Sequence, residues 1–521
     1  MLATIKKIDA FVCRNYALVG FLILLFILRL PNFFEPYWYG DEGIYLTLGI
    51  AMRQGERLYL EIIDHKTPLI YYLAMVPNQF WFRVLLWIAM SISTVIFYDF
   101  AQRLLKNRIG AQLATLLFIL LTTLPAFEGN IPNGELFVMT FVLIGAAFFM
   151  RSALFRNFLD EPVKTRSLES IWLHYIGPFA AGIFFGIAIL TKVPALFDVV
   201  AFFSIAWFSA IGNIQKLRRP KEFLADILPL LRQVIIMGVG VLLPILFSIV
   251  YYIARGSGRA YLDYGLLYNF RYADSWHLDV KNKIILFLFT LPGKTLILAI
   301  WMLALSVLRK TSRPFQFITA WFGLALFASL LSNRPYPHYY LQVFPPLCLF
   351  LGYLLSQKKQ SAMFVVESIV GAIGILLFVA VFFIVHVGIY PTFSYYTRFG
   401  QLVTHSITPQ EYRNSFDQYV ADNEAAVKVI AGSSDPKMFI WGTDPMLYAL
   451  ARKAPVGRFT VAFHIHDFHA ETETLLGVKS YKPTFVVVMK NESDLPGLNS
   501  FLQQDYVPNL TFEHFVLWKR F

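Results

Sequence analysis

Long apolar runs, separated by short polar segments, dominate residues 16–389 of this 521-residue chain. A helix of roughly 20 apolar residues can cross the roughly 30 Å hydrocarbon core of a bilayer, with allowance for tilt. About eleven runs have the required length. They are centred near Phe21, Ile92, Leu117, Leu143, Phe184, Phe203, Leu243, Ile297, Leu324, Leu349 and Phe378. The pattern therefore predicts a polytopic α-helical membrane domain at residues 1–389.

The pattern changes at about residue 390, where the long apolar runs stop and polar residues become more frequent. Short strand-like runs follow at 437–441, 484–489 and 515–519. Between the first two, Thr443-Asp444-Pro445 supplies a helix cap and a first-turn proline. These features predict a small soluble α/β domain at residues 390–521.

Composition and charge agree with a membrane protein and exclude several other classes. Hydrophobic residues make up 57% of the chain and charged residues 15%, against roughly 45–50% and 25% in soluble domains. The net charge of +12 collects in short loops between apolar runs, where it sets orientation and meets anionic lipid, so nucleic-acid binding is not expected. Cys13 and Cys348 do not form the spaced pattern of a disulfide or zinc framework.

Basic residues alternate between the two sides of the predicted spans, and cytoplasmic loops are the ones that keep Lys and Arg. The basic clusters are Lys6, Lys7, Arg14; Arg103, Lys106, Arg108; Arg151, Arg156, Lys164, Arg166; Lys216, Arg218, Arg219, Lys221; Arg309, Lys310, Arg313; and Lys358, Lys359. The first apolar run lacks a small-residue cleavage site, so it is expected to be a retained span. We expect a multi-pass protein of the cell (inner) membrane with a cytoplasmic N-terminus. Its C-terminal domain should be periplasmic or extracellular.

The longest early outer segment, residues 31–80, carries charge directly beside a span. It contains Gly40-Asp41-Glu42-Gly43 and, later, Asp64-His65-Lys66-Thr67-Pro68. Charge in such a place indicates function, although a solvated loop is the alternative. Amphipathic stretches at 44–53 and 68–80 predict interfacial helices. Such helices would hold Asp41 and Lys66 at membrane level, where the phosphate of a lipid also lies.

A set of short motifs extends over roughly the first three quarters of the chain. The motifs are Asp41-Glu42-Gly43-Ile44-Tyr45, Gly55, Tyr59, Asp64-His65-Lys66-Thr67-Pro68-Leu69-Ile70-Tyr71-Tyr72, Asn133-Gly134-Glu135, and His338-Tyr339-Tyr340-Leu341-Gln342 with Pro345-Pro346. Taken as a set, they resemble those of the GT-C superfamily of membrane glycosyltransferases, in particular the bacterial branch related to aminoarabinose transferase and the protein O-mannosyltransferases. Any one motif alone would be weak.

The resemblance implies transfer of a sugar from a polyprenyl-phosphate donor to an acceptor at the outer face of the membrane. The acceptor would be a glycolipid such as lipopolysaccharide, another envelope glycan or a protein. A phosphate leaving group needs no strong acid, so one base and several cations suffice. Asp41 is the candidate base, and Glu42 beside it would orient the acceptor or a cation. Lys66 would bind the donor phosphate, and a single displacement would invert the anomeric centre.

Further candidates lie at the outer ends of later spans. The resemblance implies that Glu135 is another acidic residue near the active centre, and the alternative is that it caps a helix. Arg334, His338 and Tyr339 could bind the donor phosphate, although an interfacial aromatic belt is the alternative. Lys192 and Arg271 are secondary phosphate candidates.

Two residues raise the question of a metal. His65 could form part of a divalent-cation site with Asp64 or with His338. Single histidines near apolar surface are usually not ligands, so the sequence assigns no cofactor with certainty.

Two rival functions differ from glycosyl transfer in the charge pattern they require. A transporter or flippase for a lipid-linked or anionic substrate would place ionisable residues near the midplane, often in two related halves. Here the charge lies in outer loops and no such halves are visible. A non-catalytic scaffold would leave Asp41, Lys66 and Glu135 without a purpose. The donor sugar and the acceptor stay open.

Overall fold

The computed structural model describes residues 15–161, 170–212, 220–273, 276, 278–308, 311–356 and 362–521. Much of the charge used to predict orientation lies outside these residues, so the membrane orientation stays a prediction. The residues concerned are Lys6, Lys7, Arg14, Lys164, Arg166, Lys216, Arg218, Arg219, Arg309, Lys310, Lys358 and Lys359, and Cys13 also lies outside the described part.

Apolar helices form the first three quarters of the described chain, and every predicted run centre lies within one of them. Six helical segments are long and apolar enough to cross a membrane, namely Tyr16–Phe34, Gln79–Leu105, Trp172–Thr191, Lys221–Ala254, Pro337–Ser356 and Met363–Val385. Shorter apolar helices are Arg108–Thr123, Gly134–Phe149, Ala195–Ile211 and Leu291–Val307. The structure is therefore that of a helical membrane-embedded protein, and the number of eleven spans stays a prediction.

Helices of this part are numbered in chain order. They are α1 (Tyr16–Arg29), α2 (Gly40–Arg53), α3 (Leu69–Leu73), α4 (Gln79–Leu105), α5 (Arg108–Thr123), α6 (Gly134–Phe149), α7 (Ala153–Phe158), α8 (Gly177–Thr191), α9 (Ala195–Gly212), α10 (Pro220–Ala254), α11 (Lys283–Leu288), α12 (Leu291–Val307), α13 (Arg313–Ser329), α14 (Phe344–Ser356) and α15 (Ala362–Val385). Short 3₁₀ segments are Leu30–Phe34, Pro125–Phe127 and Pro337–Val343. Two π-helical segments are Trp172–Ile176 and Tyr261–Leu267, and the short helices Gly258–Ala260 and Tyr268–Ala273 flank the second.

Helix α2, which begins one residue before Asp41, is buried on all sides from residue 42 to residue 51. Two glycines allow this close packing. A Cβ at Gly49 would lie 2.3 Å from the Ala74 carbonyl oxygen, and one at Gly43 would lie 2.9 Å from the Met446 backbone nitrogen. The C-terminal domain therefore covers the side of α2 that the amphipathic pattern predicted to face water. The second predicted amphipathic stretch, 68–80, contains only the short helix α3 and the loop that follows it.

The C-terminal part begins with α16 (Thr392–Val403), α17 (Pro409–Asn414) and α18 (Val420–Ile430) and continues into a five-stranded sheet of order β2-β1-β3-β5-β4. Its strands are β1 (Lys437–Trp441), β2 (Ala454–Pro455), β3 (Phe485–Met489), β4 (Tyr506–Thr511) and β5 (Phe515–Arg520). Its other helices are α19 (Pro445–Ala451), α20 (Ala462–Asp467), α21 (Glu471–Tyr481) and α22 (Leu498–Asp505). β1 is parallel to β2 and β3, whereas β5 is antiparallel to β3 and β4.

Alternation along the strands sends apolar side chains to both faces of this sheet. Phe439 and Trp441 pack in one core, and Met438 and Ile440 pack in another. The three predicted strands are confirmed within a residue, while β2 and β4 were not predicted. Asp444 caps α19 as predicted, and its side chain accepts a hydrogen bond from the Leu447 backbone N–H at 3.3 Å.

The parallel strand β1 leads directly into α19, which packs on α2. The Thr47 hydroxyl of α2 donates to the Pro445 carbonyl oxygen at 3.1 Å. In a parallel sheet the carboxyl ends of the strands form the edge that usually faces a ligand. Here that edge is turned towards the helix that carries Asp41.

Candidate functional site

The predicted base and the predicted phosphate ligand form an ion pair. Lys66 Nζ lies 3.2 Å from Asp41 Oδ2, although 25 residues separate them in the chain. The Tyr45 hydroxyl donates to the same oxygen at 3.1 Å, and Lys66 Nζ lies 4.7 Å from the centre of the Tyr45 ring. The Asp41 side chain keeps 28% of its surface exposed and that of Lys66 keeps 10%. The pair is therefore partly accessible and does not lie inside a fully closed core.

Both members of this pair are ionised. Burial favours the neutral form of Asp41, but the ammonium of Lys66 outweighs it and lowers the pKa of Asp41 to about 2. Burial likewise opposes the charge on Lys66, but the carboxylates of Asp41 and Asp64 hold its pKa above the ordinary value. The site thus presents a carboxylate and an ammonium group side by side at neutral pH.

A second ion pair lies beside the first. Lys192, which follows α8, contacts the carboxylate of Glu135 in the first turn of α6. Its Nζ lies 4.3 Å from the centre of the Tyr339 ring. The charge of Lys192 also acts on Asp41, so Lys192 belongs to the site more clearly than its sequence position indicated.

His338 completes this group, because its charge also acts on Asp41. We call the group the Asp41 pocket. Its residues are Asp41, Lys66, Glu135, Lys192, His338 and Tyr339.

Arg334 lies at the border of the Asp41 pocket, where its guanidinium group contacts aromatic rings. Its guanidinium lies 4.4 Å from the centre of the Tyr272 ring, and the Tyr272 and Tyr339 hydroxyls are 2.8 Å apart. Arg271 is exposed on the neighbouring helical turn, and no described contact joins it to the pocket. Most of the predicted candidates therefore lie together, whereas Arg271 and, as described next, Glu42 do not join them.

Glu42 faces away from its neighbour Asp41. It is fully buried, and Arg83 binds both of its oxygens, with Nε at 3.0 Å from Oε1 and Nη2 at 2.8 Å from Oε2. Gln79 donates a further hydrogen bond to Oε2 at 3.0 Å, and Glu35 lies 3.3 Å from the same guanidinium. This geometry favours a structural anchor for the start of α2. The catalytic interpretation of Glu42 stays an untested prediction.

The residues that could hold a metal ion are Asp64, His65 and His464. Their ligand atoms all lie within 4.8 Å of one another and all three residues are buried. His65 Nδ1 lies 2.9 Å from Asp64 Oδ1 and 3.1 Å from His464 Nε2. Burial lowers the pKa of His464 to about 3, which keeps the imidazole in the neutral form that binds metals.

This group of three residues differs from the prediction in its third candidate ligand. The third candidate ligand is His464 on α20, from the C-terminal domain, and not His338, whose Nδ1 contacts Glu128. Sequence reasoning missed His464, because 399 residues separate it from His65. Spacing of the metal-ligand kind gives no signal over such a distance.

An apolar cavity of about 190 Å³ lies between α12, α13 and α15. It is lined mainly by side chains such as Ile297, Trp301 and Phe322. At one end lies Lys294, whose Nζ donates to the Leu330 carbonyl oxygen at 2.7 Å. The cavity thus offers apolar surface close to the turn that leads to Arg334.

The described site combines a partly exposed carboxylate with two ammonium groups and an imidazole around it. Such a set can take a proton from a hydroxyl and stabilise an anion at the same place. Comparison with protein-family models finds no match, and no curated protein matches the chain. The interpretation of the site therefore rests on its residues and their geometry.

Proposed function

We propose that the chain is a membrane glycosyltransferase of the GT-C type. It transfers a sugar from a polyprenyl-phosphate donor to a hydroxyl of an envelope glycan, glycolipid or protein at the outer face of the cell membrane. The observation that carries the proposal is the partly exposed Asp41–Lys66 pair beside the Lys192–Glu135 pair. A base and two cations are the groups that this transfer requires.

The reaction is a single displacement. The acceptor oxygen forms a bond to the anomeric carbon, Asp41 takes the hydroxyl proton, and the bond from the anomeric carbon to the phosphate oxygen breaks. The electron pair leaves with the phosphate, which Lys66 and Lys192 stabilise as an anion. Attack from the face opposite the phosphate inverts the anomeric centre.

Donor binding also changes Asp41. Lys66 lowers the pKa of Asp41 to about 2, and a carboxylate of that kind is a weak base. When the donor phosphate draws the Lys66 ammonium to itself, Asp41 loses its nearest counter-charge and its basicity rises. The base therefore becomes effective only in the complex with the donor.

The remaining substrate groups have candidate positions. A polyprenyl chain needs apolar surface open to lipid, and the cavity between α12, α13 and α15 supplies such surface near Arg334. A divalent cation would bind at Asp64, His65 and His464. It would supply positive charge there, and no step of the transfer is assigned to it.

The proposal is tested by sugar transfer with purified full-length protein in detergent. Radiolabelled polyprenyl-phosphate sugars serve as donors and a membrane extract serves as acceptor. We expect wild type and the control Asp99→Asn to transfer one sugar and Asp41→Asn to transfer none. Asp99 is a suitable control because it pairs with Arg103 on the exposed surface of α4.

Transfer by wild type but not by Asp41→Asn would support the class and the base together. Transfer at the wild-type rate by Asp41→Asn would refute the base. If folded wild type transfers no sugar from any donor, the proposal fails. A transporter or flippase would then be tested by flux measurements.

A further inference from the structure

Glu128 lies in the loop between the 3₁₀ segment Pro125–Phe127 and α6, and none of the sequence motifs contains it. Its side chain is 6% exposed. One oxygen, Oε2, accepts a hydrogen bond from the Tyr39 hydroxyl at 2.6 Å and contacts His338 Nδ1. Tyr39 immediately precedes α2. Glu128 therefore joins the segment that leads to Asp41 with the segment that carries His338.

The backbone of Glu128 adopts an uncommon conformation. Its φ is +57°, in the left-handed region that favours glycine or asparagine. A non-glycine residue in such a conformation persists where neighbouring contacts hold it. Asn133 supplies one of them, because its amide donates to the Glu128 carbonyl oxygen at 3.3 Å.

The ring of His338 is held on several sides. The Glu128 carboxylate contacts Nδ1 of His338. The ring of Tyr336 stacks on that of His338, with 5.7 Å between the ring centres and 9° between the ring planes. The Tyr339 ring lies perpendicular to it at 4.7 Å. Among the described residues no hydrogen bond reaches Nε2, so this nitrogen is the one that a ligand can use.

We propose that Glu128 is a positioning residue of the donor-phosphate site, which orients His338 so that Nε2 faces the phosphate group of the polyprenyl donor. The inference rests on the proposed function and deepens it. With Glu128 at one nitrogen and phosphate at the other, each ring nitrogen carries a hydrogen and donates one hydrogen bond. The carboxylate balances the charge of the ring, and the phosphate binds a preoriented cation.

The charges around His338 are compatible with this role. Glu128 and Glu135 supply negative charge, and Lys192 supplies positive charge from the other side. The charge of His338 in turn acts on Asp41. A phosphate placed at Nε2 would therefore be close to the candidate base as well.

The test is a double-mutant cycle on the binding of undecaprenyl phosphate, without sugar, to purified full-length protein. The proteins are wild type, Glu128→Gln, His338→Ala and the double variant. We expect each single variant to weaken binding about tenfold, as loss of a charge-assisted hydrogen bond implies. Because Glu128 acts through His338, the double variant should also lose about tenfold and not about a hundredfold.

The matched control is Glu367→Gln. Glu367 is buried on α15, and its oxygens accept from the Ser312 backbone N–H at 2.7 Å and the Tyr353 hydroxyl at 2.8 Å. The Glu367→Gln variant therefore loses a buried, paired carboxylate that does not contact the Asp41 pocket. It should bind undecaprenyl phosphate like wild type. Glu128→Asp keeps the charge and should bind more tightly than Glu128→Gln. This second variant keeps the test decisive if Glu128→Gln does not fold.

Each outcome decides a separate point. Multiplying losses in the double variant, or wild-type binding by folded Glu128→Gln, would overturn the role of Glu128 while leaving the proposed function intact. If Glu128→Gln does not fold and Glu128→Asp binds no better than His338→Ala, the inference is overturned as well. If wild type does not bind undecaprenyl phosphate, the proposed donor and the inference both fail.

Discussion

Asp41 and Glu42 are neighbours in the sequence, but replacing each carboxylate by its amide should have opposite effects. Asp41→Asn should remove sugar transfer and leave the fold stable, because the Asp41 side chain beside Lys66 is partly exposed. Glu42→Gln should destabilise the protein and leave the activity of each folded molecule near the wild-type value. The reason is the buried, two-point bond of Glu42 to Arg83.

The structure gives the size of both effects on stability. The pKa of Asp41 is lowered from 3.8 to about 2, which corresponds to at most about 2 kcal/mol of folding free energy. A carboxyl group whose pKa is lowered in the folded protein stabilises the fold at pH values above its pKa in the unfolded chain. The contribution of Asp41 is therefore present at neutral pH and disappears as the pH falls through about 2. Removal of one partner of a buried ion pair costs more, about 3–5 kcal/mol. Glu42→Gln should therefore be the less stable variant.

The assay combines two measurements on the same preparations. Thermal unfolding in detergent, followed by tryptophan fluorescence, gives Tm, and initial rates of sugar transfer are divided by the amount of folded protein. Asp41→Asn should lose about 10²–10⁴-fold in rate, the range for a general base, with a smaller fall in Tm than Glu42→Gln. A folded Glu42→Gln protein with wild-type Tm and no activity would refute the reasoning and restore Glu42 as a catalytic group.

The other predictions concern the cations, pH and metal. Lys66→Ala should raise the Kd for undecaprenyl phosphate at least about tenfold. The control Lys106→Ala, which changes an exposed lysine, should bind like wild type. Equal affinities of Lys66→Ala and wild type would exclude Lys66 as a phosphate ligand. Since the pKa of Asp41 is about 2 and that of Lys66 lies above its ordinary value, kcat/KM should show no titration of this pair between about pH 4 and about pH 9. A limb inside that window that disappears in Lys66→Ala would contradict the ion pair. Added Zn²⁺ should raise the Tm of wild type but not that of His464→Ala, because His464 supplies one of three candidate ligands. An equal rise of Tm in both proteins would contradict that ligand set.

The helices and strands follow from local patterns, which is why the sequence predicts them well. A run of apolar residues forms a helix wherever lipid surrounds it, because the backbone must bond within the segment. Each predicted run centre accordingly lies in a helix. The strands of the C-terminal domain and the capping Asp444 follow equally local rules. The sequence could not predict that this domain covers α2, because the two surfaces are far apart in the chain.

The chemistry of the site shows the same division. Charged residues beside apolar runs identify Asp41, Lys66 and Glu135 as candidates from the sequence alone. Their partners come from elsewhere in the chain, since Glu135 contacts Lys192 over 57 residues and His65 meets His464 over 399. Glu128, which lies in none of the motifs, becomes visible only through its contact with His338.

Sequence by itself determined where the apolar helices lie and which charged residues flank them. Only the tertiary structure decided which of these charges meet. Successive residues of a helix point about 100° apart, so Asp41 faces the pocket while Glu42 faces the buried guanidinium of Arg83. That choice depends on how α2 is rotated against α4 and the C-terminal domain, and packing between distant segments sets the rotation.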